Sequence, residues 1–337
     1  MRKINGNISM IGVGSPVVDV VAQVPEDFLS RAGGAKGGME LVDAEVLALL
    51  QEALPDTTVQ TPGGSAGNTA FAMARLGIPS RFLGTVGADT SGAFYRECFE
   101  ALGGCGMAIR THRKLPTALC LSLVTPDGER TMRTHLGAAA TLGPSDITPE
   151  DFQGYGHAHV EGYLLFNPDL MRSVLQAAKQ AGCQISVDLA SFEVVHAARG
   201  VLPELLEAYV DIVFANEEEA AAFAGTADPA QCLEALHVHC PTVAVKLGAE
   251  GVLLRNGGEA CAVPALPVAH AVDTTGAGDL WAAGFLYGLL NGRELTDCGR
   301  LGAALGAAVV TQQGAALPDA DWQRLRGEFG ADGHPPN

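Results

Sequence analysis

Asp273-Thr274-Thr275-Gly276-Ala277-Gly278-Asp279 runs directly into the apolar segment Leu280 to Leu290. Ahead of it, Ala265 to Val272 has strand-like character. The segment after it carries Gly284 and Gly288 but no Pro and reads as a buried helix. Gly276, Ala277 and Gly278 are thus expected in a strand-to-helix turn whose backbone N–H groups open at the helix start. Free amides and the positive end of the helix dipole make an anion site there. Small residues let the anion approach the backbone. Asp279 falls in the first turn, where the dipole favours an ionised carboxylate able to accept a proton from a hydroxyl. An anion hole beside a base suits transfer of a phosphoryl group to an alcohol. The same spacing also fits a plain Gly-rich helix start with a capping Asp.

Length and composition bound the rest. A chain of 337 residues, 47% hydrophobic, can bury one large core. Its net charge of -17 and lack of a basic block argue against nucleic acid or an anionic membrane as partner. No run reaches the roughly 18 apolar residues of a membrane span. Met1 to Gln23 mimics a secretory signal, but Asn5, Asn7, Gly14 and Asp19 interrupt it and a first strand is expected instead. The eight Cys are scattered without a C-x-x-C pair and read as reduced thiols of a cytoplasmic protein.

Along the chain, Ile8 to Val13 reads as a core strand and Val17 to Val24 as a β-branched strand carrying Asp19, either solvent-facing or a ligand. Gly33 to Gly38 is a Gly-rich loop with Lys36 as a solvated cation. Gly63-Gly64-Ser65-Ala66-Gly67-Asn68 turns into a helix to Leu76, and Asp89 is expected to cap a helix. Cys120 to Val124 and Thr131 to His135 flank the hairpin signal Pro126-Asp127-Gly128 and, with Val17 to Val24, suggest a small separate sheet. Arg130 and Arg133 are read as sharing one strand face, Arg133 as a charged sheet edge; either could instead face a phosphate. From His157 onward strands and helices alternate, which specifies a parallel sheet with ligands at strand C-termini. Asn216 and Glu219 fall at such an end, as helix-start residues or as oxygen donors for Mg²⁺. Gly248 and Gly251 follow the strand Val243 to Lys246. His237, His239, His157 and His159 read as packing or surface residues rather than metal ligands.

Four of these features, in this order, resemble the PfkB-type (ribokinase-like) carbohydrate kinases, closest in pattern to adenosine-kinase-like members. D-T-T-G-A-G-D resembles the family's second signature, which implies Asp279 as base and Gly276, Ala277 and Gly278 as the phosphate-holding amides. The turn Gly63, Gly64 to Asn68 resembles the first signature, whose glycines and Asn contact substrate hydroxyls. G-S-x-x-x-D, Gly14 to Asp19, resembles the strand whose Asp holds the sugar. N-x-x-E, Asn216 to Glu219, resembles the magnesium-and-phosphate motif. The turn Gly248 to Gly251, entered by Lys246 where the family usually has Thr, resembles the loop under the ATP phosphates. Backbone near Asp273 and Thr275 resembles the place where the family can hold a monovalent cation such as K⁺.

The resemblance implies an α/β, ribokinase-like three-layer fold, a central mainly parallel sheet flanked by helices with a small β-sheet lid. One domain, 1–330, is expected, with core about 1–14, 44–115 and 136–330, lid about 15–43 and 116–135, and a disordered tail 331–337. It implies an ATP- and Mg²⁺-dependent kinase for a small-molecule nucleoside or sugar, and a homodimer through lid edge strands such as Cys120 to Val124. The separation of 44 positions from Asp19 to Gly63, the absence of the D-x-N-x-R of sugar-specific members at Asp188, and Phe192 as a stacking surface favour a ribonucleoside. The alternatives are a free-sugar kinase (ribose, fructose or a keto-acid sugar) and a non-catalytic nucleotide sensor. No G-x-x-x-x-G-K-[ST] occurs, which excludes a P-loop.

Overall fold

The computed structural model describes residues 8–330 except 34, 35, 37, 56 and 128. The expected tail 331–337 and the hairpin residue Gly128 lie outside the described residues. In chain order the described strands are β1 (Met10–Val13), β2 (Val17–Gln23), β3 (Met39–Leu41), β4 (Thr58–Gly63), β5 (Ser80–Gly87), β6 (Ile109–His112) and β7 (Ala118–Val124). They continue as β8 (Arg130–His135), β9 (His157–Glu161), β10 (Gln184–Asp188), β11 (Ile212–Asn216), β12 (Thr242–Lys246), β13 (Val252–Asn256) and β14 (Glu259–Val263).

Nine of them form one sheet in the order β14-β13-β12-β11-β10-β9-β1-β5-β6. From β6 to β12 every pairing is parallel, and β13 pairs antiparallel with both β12 and β14. Period-two alternation places helices on both faces. Along β11, Ile212 and Phe214 face a core containing Trp281, Phe285 and Leu305. Val213 and Ala215 face the opposite core with Leu170, Val194 and Leu236. A fully buried side chain such as Phe214 or Phe285, 0% exposed, contributes roughly 2–3 kcal/mol of transfer free energy. Strand order reverses at β1, which lies between β5 and β9, so a crevice opens beyond the C-terminal ends of β1 and β9.

The helix Ala277–Leu290 packs on the helix Leu295–Val309 at very short range. A Cβ on Gly284 would lie 2.4 Å from the Leu301 carbonyl oxygen, so only glycine permits this approach. Its N-cap, Gly276, has φ +71°, the left-handed conformation that redirects the chain into the helix. Ala265 to Val272 forms no strand. Pro264 and Pro267 bracket its start and cannot donate to a ladder, which the apolar composition did not reveal.

The second sheet has the order β3-β8-β7-β2-β4. It differs from the expected lid by one strand, because β4 pairs antiparallel with β2, Asp19 opposite Thr61, although residues from 44 on were expected in the core. The strand T-V-Q-T-P-G has no apolar run, and its Pro62 is tolerated because β4 is an edge. Cys120 to Val124 lies in β7, an interior strand, so the sheet edges are β3 and β4. Arg130 and Arg133, three apart on β8, face opposite sides, as a two-residue period requires. Arg133 is 0% exposed and donates to the carbonyls of Ala32 (3.1 Å), Met132 (2.8 Å), Gly33 and Gly38. It ties Ala32, Gly33 and Gly38 to β8 and is not an exposed edge. Lys36 bridges Glu26 (2.7 Å) and Asp127 (2.6 Å) on the surface.

Candidate active site

Asp279 lies at the third position of its helix, with both carboxylate oxygens held by the helix Ser65–Arg75. Oδ1 accepts from the Ser65 hydroxyl (2.8 Å) and Oδ2 from Asn68 Nδ2 (2.9 Å). The Thr69 hydroxyl donates to its main-chain oxygen (3.0 Å), so the two Gly-rich helix starts are locked together. Burial, and then the nearby Asp188 carboxylate, push the Asp279 pKa up to about 6, against the two hydrogen bonds. The group is ionised at neutral pH yet basic enough to receive a proton. Of the three expected hole amides, that of Ala277 donates to the Thr274 carbonyl (3.1 Å) and closes the turn. Gly276 and Gly278 are the remaining pair, and both line the cavity.

Lys246, at the end of β12, reaches the same turn: a Cβ built on Gly278 would sit 3.0 Å from its Nζ. It pairs with Asp188 at 2.8 Å. Burial works to lower its pKa, but Asp188 and Glu219 outweigh that and hold it above the ordinary lysine value. Asn216 and Glu219 form a reciprocal cap: Asn216 Oδ1 accepts from the Glu219 amide, and Glu219 accepts from the Asn216 amide and Nδ2, each at 2.8 Å. Burial, then Asp188, raise the Glu219 pKa to about 7.

Glu161, at the end of β9, was missed by sequence reasoning. It is 1% exposed, accepts from the amides of Ser15 (2.8 Å) and Ala66 (3.4 Å), and lines the cavity; burial raises its pKa to about 7. Its signal was positional, a carboxylate ending an apolar strand at the point where strand order reverses. In the sequence Asp188 stands out only for a missing motif, and Ser65 only as a member of the Gly63–Asn68 turn. Ala190, two residues after Asp188, holds φ +66° and lines the cavity; an alanine in that region is strained.

Asp19 faces these groups from β2. Burial lifts its pKa to about 7 while Arg130 opposes the rise. A Cβ on Gly63 would lie 2.2 Å from Asp19 Oδ2, so Gly63 makes room for that carboxylate and does not itself line the cavity. Asp273 also stays off the cavity wall, whereas Thr275 lies on it. Asp19, Gly64, Asn68, Asn216, Glu219, Lys246, Gly248, Gly251 and the Thr275–Asp279 turn share one cavity of about 1450 Å³. A cavity above the usual ~300–1,000 Å³ for one small ligand has room for two. Apolar residues Met39, Leu41 and Met132 line it from the small sheet, and Phe166 from the segment after β9. Phe192 is absent from the cavity wall and packs edge-on against His196.

Outside the cavity, Asp89 caps its helix by accepting from the Gly92 amide at 2.8 Å. His237 bonds the Cys240 carbonyl, and His239 packs against Phe223. Among the described residues no helix is long and apolar enough to cross a membrane.

Residues 42–322 match the description "pfkB family carbohydrate kinase". The crystal structure of adenosine kinase from Sinorhizobium meliloti superposes with a TM-score of 0.86 at 35% identity, covering 96% of this chain and 99% of that one. The aminoimidazole riboside kinase of Salmonella typhimurium is 30% identical over 78% of this chain and 86% of its own length. The ATP-dependent ribose-1-phosphate kinase of Halopiger xanaduensis is 30% identical over 78% and 85%. A matched segment spanning most of the sequence, on a fold with these neighbours, leaves one assignment: the chain belongs to the pfkB family of carbohydrate kinases, phosphotransferases that act on the hydroxyl groups of sugars and nucleosides.

Proposed function

We propose that the chain transfers the γ-phosphoryl group of ATP to a primary hydroxyl of a ribonucleoside, adenosine first among them. The observation that carries the reading is Asp279, fixed by Ser65 and Asn68 beside the Gly276 and Gly278 amides in a cavity shared with Asp19. The acceptor hydroxyl gives its proton to Asp279 as its oxygen attacks the γ-phosphorus. The bond from that phosphorus to the bridging oxygen breaks, ADP leaves, and the proton passes to solvent. The two amides and Lys246 sit where charge grows on the transferring group, a kind of donor worth roughly 3 kcal/mol each in acyl transfer. Asp19 and Glu161 are the carboxylates for ribose hydroxyls, and Asn216, Gly248 and Gly251 line the nucleotide side.

Among the described residues no group of three or more His, Cys, Asp or Glu forms a metal cage, so a Mg²⁺ ion would be carried with the nucleotide phosphates and held by Glu219 through water. Bound there, the ion would neutralise phosphate charge in a cavity whose wall holds carboxylates such as Asp19, Glu161, Asp188 and Glu219 but one ammonium, Lys246, among the described residues.

The apolar wall residues Met39, Leu41 and Met132, with the half-exposed Phe166 of the segment after β9, support a base rather than a bare sugar, as does the similarity to the Sinorhizobium meliloti adenosine kinase. A free-sugar kinase is the second reading, favoured by Asp19 and Glu161 as two carboxylates available to hydroxyls in one cavity. An enzyme-linked ADP-release assay with adenosine, inosine, ribose and fructose separates the two. Adenosine is expected to give the highest kcat/KM; turnover of free sugars alone ends the nucleoside reading.

A further inference from the structure

Asp273 opens the D-T-T-G-A-G-D turn, and all its acceptor capacity is in use. Its Oδ1 accepts from the Thr275 amide (2.9 Å) and hydroxyl (2.6 Å). Its Oδ2 accepts from the Gly314 amide (2.8 Å) and from Arg130 Nη1 (3.1 Å). A carboxylate has about four lone-pair positions, and four donors occupy them here. A monovalent cation bound through this carboxylate would have to displace a donor and then sit beside a guanidinium. The donor set does not fit such an ion.

The fourth donor comes from far away in the fold. Arg130 starts β8 of the small sheet, 143 residues from Asp273 in sequence. The side chains of the pair are only 20% and 13% exposed, so the contact is screened much less than a surface ion pair. Gly314 belongs to the connection after the helix Leu295–Val309, and the amides of Val272 and Asp273 donate to the Val310 carbonyl that ends it. One carboxylate thus joins the small sheet, that connection and the turn that presents Gly276 and Gly278.

We propose that Arg130 is the resident cation of the Asp273 turn: the guanidinium does from the small sheet what a potassium ion would do from solution. The chain therefore works without a monovalent cation, and the small sheet sets the position of the phosphate-facing amides. Arg130 is a positioning residue, acting through Asp273. The inference rests on the reading of Gly276, Gly278 and Asp279 as the transfer site, but half of its test needs no turnover.

The first measurement is the thermal midpoint of the wild-type, ligand-free protein in KCl, NaCl and choline chloride at equal ionic strength. The midpoints are expected to coincide within about 1 °C, since an ion that does not bind the native state cannot stabilise it. A rise specific to KCl overturns the proposal whether or not the kinase reading is right. The second uses initial rates for wild type, R130K and R130M, with ATP and whichever of the four acceptors gives most ADP. Wild type is expected to run equally fast in KCl and choline chloride. R130M should lose at least about tenfold in kcat in choline chloride, because a largely buried carboxylate loses its partner, and regain part of it in KCl. R130K should keep most of the activity in both salts. Wild type activated more than about fivefold by potassium, or R130M as active as wild type in choline chloride, sinks the idea. A wild type inactive on every acceptor in every salt would instead sink the kinase reading, leaving the thermal comparison to decide the cation question.

Discussion

At the scale of single residues, the proposed chemistry depends on Asp279 being ionised and fixed. Asp279→Asn keeps the shape and both hydrogen-bonding neighbours but cannot take a proton. It is expected to lower kcat by at least about a hundredfold with little change in ATP affinity, read by steady-state kinetics and by nucleotide titration. A variant that turns over within a few-fold of wild type would remove the base from Asp279. The pH dependence follows from the same carboxylate. With its pKa raised to about 6, the ionised fraction falls on acidification through that value, so kcat/KM of the free enzyme should drop at least about tenfold per pH unit well below 6, Asp19, Glu161 and Glu219, raised to about 7, beginning the decline at higher pH. A profile flat down to pH 5 would contradict the raised value. Asp279 was legible in the sequence because its turn uses a fixed pattern of small residues. Glu161 was not, since nothing beside H-A-H-V-E distinguishes a strand-end ligand from a buried ion-pair partner until strand order is known.

Among elements, the readable ones had a local cause. The helix after Asp279, the cap at Asp89 and the alternation from His157 onward follow from periodicity and capping chemistry, and the structure has them within a few residues. What escaped was decided by partners far away in sequence. β4 is polar and becomes a strand only because β2 offers an open edge, and Arg133 is buried because four carbonyls converge on it. Packing between the two C-terminal helices yields a prediction of the same non-local kind. Gly284→Leu places a side chain where a Cβ already meets the Leu301 carbonyl at 2.4 Å, and the backbone must move. A loss of about 2–3 kcal/mol is expected in urea unfolding, with reduced kcat because Asp279 rides on the displaced helix. Stability within ~0.5 kcal/mol of wild type would mean that the two helices are not held at this distance.

For the molecule as a whole, the cavity should make the ligand-free protein less stable at neutral than at mildly acidic pH. Asp19, Glu161 and Glu219 titrate near 7 and Asp279 near 6 in the fold, all above ordinary carboxylates, mainly because each is buried. A group with a raised folded pKa binds more protons in the native state across the interval between its two pKa values, so native stability grows as pH falls through that interval. His157 and His159 act in the opposite direction. Both are fully buried on the shared Ser186 hydroxyl (2.8 Å each), and burial lowers their pKa values to about 3 and 4. The unfolded chain therefore takes up protons on them below about 6.5 while the native state does not, which costs stability on acidification. Four carboxylates outnumber two imidazoles, and a net charge of -17 adds a self-repulsion that acidification relieves. The thermal midpoint of the ligand-free protein should rise between pH 8 and pH 5.5, above the range where ordinary carboxylates titrate. Scanning calorimetry at constant ionic strength measures it. A midpoint that falls steadily over that range would mean that the cavity carboxylates are not held in a costly ionised state, and Asp279 would then lose the basicity that the transfer step needs.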